Sequence, residues 1–119
     1  MTSAATKKDI ETWPIGTIRA AIAMRDVRFR AVRWPVVFHA QKGESVAEWW
    51  ARQPYTPNTL AGGLSQHYPI FDSAFVPAGV SVRLRGSDEW VLGKDLVEAH
   101  ERAVLYRLIK SKGDENVHN

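Results

Sequence analysis

The apolar residues Ile15, Ile18 and Ile22 recur three and four positions apart, with Ala20, Ala21 and Ala23 among them, and this spacing predicts a short helix over residues 14–25. The period then drops to two. Val27, Phe29 and Ala31 alternate with Arg28, Arg30 and Val32, the pattern of a strand with one buried and one solvated face. Beyond Trp34-Pro35 the run Val36-Val37-Phe38 predicts a second extended segment, broken by Gln41-Lys42-Gly43.

Ser45-Val46-Ala47-Glu48 reads as a capping box, since the serine oxygen can accept from the N–H three residues on and Glu48 can reach back to the serine N–H. The helix it opens stops near Gln53, ahead of Pro54, and carries the adjacent Trp49 and Trp50. Pro54 to Gly79 is rich in proline and glycine and reads as irregular, apart from a weak helix from Thr59 to Gln66 capped by Asn58. Val80 to Arg85 alternates cleanly, Gly86-Ser87-Asp88 supplies turn chemistry, and Glu89 to Leu92 returns as the second strand of a hairpin. From Asp95 to Lys112 the helical period resumes, with acids at the start and bases at the end, in accord with the helix dipole. The expected fold is α+β, a small antiparallel sheet packed against the C-terminal helix. The expected layout is one domain over 13–112, between a flexible N-terminus (1–12) and a flexible tail (113–119).

A chain of 119 residues, 45% of them apolar and 24% charged, has enough material for one core without staples. The absence of cysteine removes disulfides, thiolate zinc sites and cysteine nucleophiles. The opening residues lack the apolar stretch of a secretory signal and no apolar run reaches bilayer length, so a soluble cytoplasmic protein without membrane partners is expected.

Charge is concentrated. Between Arg19 and Arg33 five arginines face Asp26 alone, so this window holds +4 of a net +3 and the rest of the chain is slightly acidic. Arg28, Arg30 and Arg33, with Arg83 and Arg85 of the hairpin, form the candidate anion- or nucleic-acid-binding set. Arginines on one strand face make bidentate contacts to phosphates or carboxylates. The competing reading is a solvated face partly neutralised by Asp88 and Glu89. The five tryptophans have two readings as well: base stacking beside arginine, or core packing, with Trp50 the most exposed.

Trp49, Trp50, Tyr55, His67 and Tyr68 form a second candidate set, for protein interaction through the 54–79 segment. A helix-turn-helix over Ser45 to Gln66 is disfavoured by Gly62-Gly63 and by the lack of any lysine or arginine between Gln53 and Arg83. No cofactor or metal signature is present; His100 reads as structural, and His67 with the arginines leaves metal-free RNA cleavage as a minor reading.

From Tyr55 onward the order Pro57-Asn58-Thr59, Tyr68-Pro69-Ile70-Phe71, Trp90, Asp95-Leu96-Val97-Glu98-Ala99 and Ser111-Lys112-Gly113-Asp114-Glu115 resembles the small NinX-type accessory proteins of lambdoid phages. The resemblance covers about half of the chain and not residues 1–54. It implies a phage or prophage accessory protein and assigns no residue a role. The reading reached is a small non-catalytic binding protein whose leading partner is nucleic acid or a nucleoprotein complex. The alternative is an inhibitor or adaptor acting on an acidic protein.

Overall fold

Thr6 opens the first helix, α1 (Lys7–Thr12), by a capping box: its hydroxyl accepts from the Asp9 N–H and the Asp9 carboxylate accepts from the Thr6 N–H. The computed structural model describes residues 5–26, 41–52 and 65–117, with side-chain positions as far as Ser111. Ile10 of α1 is fully buried, which corrects the expectation of a flexible segment through residue 12. The cap and one core isoleucine tie this end down from Thr6 onward. Helix α2 (Ile15–Arg25) follows Pro14 and matches the isoleucine spacing, with Ile18 and Ile22 fully buried. Helix α3 (Val46–Ala51) begins at the expected Ser45 capping box, with both reciprocal bonds formed.

A single helical turn, α4 (Ser65–His67), leads into β1 (Ile70–Val76), β2 (Gly79–Leu84) and β3 (Trp90–Gly93), an antiparallel sheet in the order β1-β2-β3. The β2–β3 pair is the expected hairpin. Strand β1 was not expected, because it lies inside the stretch read as irregular. Its period is broken by a bulge: Ile70 pairs with Leu84 and Asp72 with Arg83, so Phe71 is an inserted residue. The expected segments 27–32 and 36–38, and the 59–66 helix up to residue 64, lie outside the described residues.

Helix α5 (Leu96–Val117) continues past Lys112 and Gly113, where a tail had been expected. It packs on β2 and β3 on one side and on α1 and α2 on the other. All seven residues from Ala99 to Leu105 are therefore buried, as befits a helix covered on opposite sides. Val80, Val82, Leu84 and Val91 cover it from the sheet, and Ile10, Ile18 and Ile22 from the helices. Gly93 permits the close start of α5, since a Cβ there would lie 2.3 Å from the Ala99 nitrogen.

Arg19, Glu101 and Arg102 inside this core bond to backbone or to each other, while the Arg102 Nε has no hydrogen-bond partner among the described residues. Arg102 Nη1 donates to the carbonyls of Ile10 and Trp13, closing the C-terminal end of α1. Arg19 does the same for α3, donating to the Trp50 carbonyl at 2.9 Å while its Nε meets Glu101 at 2.7 Å. Among the described residues no helix is long and apolar enough to cross a membrane.

Candidate nucleic-acid interface

Pairing with α5 turns Val80, Val82 and Leu84 inward, so Ser81 and Arg83 of β2 point to the opposite, outer face of the sheet. The β2–β3 register places Trp90 opposite Arg83 and Leu92 opposite Ser81. On the other flank the bulge sets both Phe71 and Asp72 against Arg83. One row across the outer face thus reads Phe71, Arg83, Trp90. The Arg83 guanidinium carbon lies 4.3 Å from the centroid of the Phe71 ring and 5.7 Å from that of Trp90, within cation–π range of both. The next row sets Ala74, Ser81 and Leu92 side by side, each partly buried.

Arg83 forms no ion pair among the described residues. Its Nε is buried without a hydrogen-bond partner, and Nη1 reaches only the Ser87 carbonyl, at 3.5 Å. Of the acids expected to neutralise this face, Glu89 meets Lys7 and Lys110, each at 3.6 Å, and Asp88 is exposed and forms no ion pair among the described residues. Asp72, opposite Arg83 in the register, accepts from the Ser73 N–H. Phe71 is 58% exposed, so the row presents an open aromatic ring beside a cation. Arg85 is exposed at the end of β2, its N–H donated to the Pro69 carbonyl.

The arginine window is divided in the structure. Arg19 is buried and paired with Glu101, so it leaves the surface patch. Arg25 is exposed and donates to the Ala21 carbonyl. Arg28, Arg30, Arg33 and Tyr55 lie outside the described residues, and so does Trp34.

The second set is not a single exposed surface. Tyr68 is buried: its hydroxyl donates to the Asp26 carboxylate and its carbonyl accepts from His100 Nε2 at 2.7 Å, so Nε2 carries a proton. This corrects its assignment to a docking loop. It is the joint between α2, the sheet and α5. His100 is 2% exposed, and burial pulls its pKa below the usual 6.5 while the Tyr68 carbonyl partly restores it. His67, which precedes Tyr68, is exposed in α4.

Trp50, expected to be the most exposed tryptophan, packs against the core, as does Trp13. Trp49 meets Trp50 edge to face at 5.0 Å. Phe71 is the residue that sequence reasoning passed over. Its only sequence signal is its place two residues after Pro69, in a run whose alternation the bulge conceals. No family model, no curated protein and no solved structure matches the chain.

Proposed function

We propose that this chain is a small binding protein that holds single-stranded nucleic acid on the outer face of its sheet. The observation that carries the reading is the row Phe71–Arg83–Trp90. An exposed phenyl ring offers a base a stacking surface, and the arginine beside it forms no ion pair among the described residues. Duplex would fit poorly, because its bases are stacked on each other and a flat sheet face reaches only phosphates. Arg28, Arg30 and Arg33 would add phosphate contacts and raise the salt sensitivity of binding.

The test is the affinity of the full chain for a labelled thymidine oligonucleotide. Phe71→Ala, at an exposed position, should weaken binding by an amount typical of one lost base stack, about 1–3 kcal/mol, with the melting temperature nearly unchanged. Unaltered affinity in Phe71→Ala and in Arg83→Gln would refute the reading.

A protein partner is the second reading, and Phe75 favours it. This residue is 86% exposed on β1, which ends the sheet among the described residues, and it pairs with Val80 on the face opposite to Arg83. An apolar edge strand of this kind accepts an added strand from another protein. Phe75→Ser should abolish such an interaction and leave oligonucleotide binding intact.

A further inference from the structure

Around the β2–β3 turn from Arg83 lies a cleft of about 370 Å³, between residues 86–89 and Tyr106, Arg107 and Lys110 of α5. Its size is at the lower end of ligand sites and suits a group no larger than a nucleotide. We propose that this cleft binds a phosphodiester of the same strand whose bases rest on the outer sheet face. Arg107, Lys110 and the adjacent Arg85 are its cationic contacts. The proposal rests on the reading given under Proposed function and extends it from base stacking to backbone binding.

Three observations lead here. The first is that two guanidinium groups are uncommitted. Arg107 spends Nη1 on the Arg85 backbone carbonyl at 2.7 Å, which fixes it beside Arg85, and neither side chain pairs with a carboxylate among the described residues. An arginine anchored through one nitrogen keeps its remaining N–H groups for an anion, in the fork geometry that matches phosphate. The second is that Lys110 stands over the Tyr106 ring at 5.7 Å and is only loosely held by Glu89 at 3.6 Å, with its side chain 53% exposed. Glu89 shares itself between Lys110 and Lys7, so it gathers two ammonium groups at the rim while cancelling one. The third is continuity: Ser87 lines the cleft and its carbonyl is the one that Arg83 Nη1 approaches from the sheet face. A strand leaving the row Phe71–Arg83–Trp90 over this turn enters the cleft directly.

Asp88 is the opposing element. It is exposed at the cleft and forms no ion pair among the described residues, so it repels an incoming phosphate.

The experiment measures binding of a thymidine oligonucleotide to the full chain between about 50 and 200 mM salt. Each lost phosphate contact on a single strand should flatten the slope of log K against log salt by about 0.7, so Arg107→Gln with Lys110→Gln should flatten it by about 1.4. Arg85→Gln gives a separate reading at an exposed side chain, and Asp88→Asn should tighten binding. Phe71→Ala should lower affinity with the slope unchanged. If the unaltered protein binds and the Arg107, Lys110 and Arg85 variants keep its affinity and slope, the cleft is not a phosphate site and the stacking surface stands alone. If the unaltered protein does not bind at about 50 mM salt, both readings fall.

Discussion

Arg19 and Glu101, 82 positions apart in sequence, meet inside the protein with the Arg19 Nε donating to a Glu101 carboxylate oxygen at 2.7 Å. The pair joins α2 to α5, and the Arg19 guanidinium continues to the Trp50 carbonyl at the end of α3. Arg19→Met takes this counter-ion away from a fully buried carboxylate and should cost about 3–5 kcal/mol in urea unfolding. Adding Glu101→Leu should recover much of the loss, because two apolar side chains replace a pair that was costly to desolvate. Equal losses in the single and double variants would show that the charge pair itself is not what matters.

Gly16 lets α3 lie directly on α2. A Cβ at this position would come 1.9 Å from the Ala47 carbonyl oxygen, and backbone cannot swing aside as a side chain would. Gly16→Ala should therefore destabilise the protein, by about 1–3 kcal/mol, despite the better helix propensity of alanine. Thermal unfolding checks this; a stabilised variant would contradict the close crossing.

His100 makes stability depend on pH in a defined direction. Burial disfavours the charged imidazolium in the folded protein and lowers the pKa below 6.5, against the opposing bond to the Tyr68 carbonyl, whereas the unfolded chain takes up a proton near 6.5. The unfolded state then binds more protons, so stability falls as pH drops below about 6.5, by at most about 1.4 kcal/mol per pH unit from this residue. Urea midpoints at pH values from about 5 to 8 should show the decline, and His100→Gln should flatten it by removing the titrating group. An equal decline in the variant would place its origin elsewhere.

Tyr68→Phe removes the hydroxyl bonded to Asp26 but keeps the ring in the core. The expected cost is about 1.5–3 kcal/mol, the range for a hydrogen bond to a charged group. Oligonucleotide binding by the folded protein should persist, because Tyr68 is buried away from the outer sheet face. Loss of binding without loss of stability would return Tyr68 to the interface.

What the sequence disclosed follows from which signals are local. The isoleucine spacing of α2, the Ser45 capping box, the alternating β2 and the long period of α5 each depend on near neighbours, and each is present in the structure. Strand β1 was hidden because one inserted residue, Phe71, breaks the alternation that identifies strands, and Pro69 and Pro77 bracket it with apparent loop chemistry. Arg19 was counted with the surface arginines, although it stands four residues after Ile15 and three before Ile22, on the buried stripe itself. Glu101, three residues before Val104, has the same kind of position on α5. Opposite charges on the apolar stripes of two helices were the available sign of a buried pair. The aromatic and arginine row had no comparable sign, since it depends on a cross-strand register that no single strand encodes.

The central claim is that the outer sheet face is where nucleic acid binds. Amide chemical shifts of the full chain, followed during titration with a thymidine oligonucleotide of about twelve nucleotides at about 50 mM salt, test it most directly. The account predicts the largest perturbations at Phe71, Ser81, Arg83 and Trp90, with a second group at Ser87 and Arg107. Perturbations confined to α2 and α3, or none at all, would contradict it.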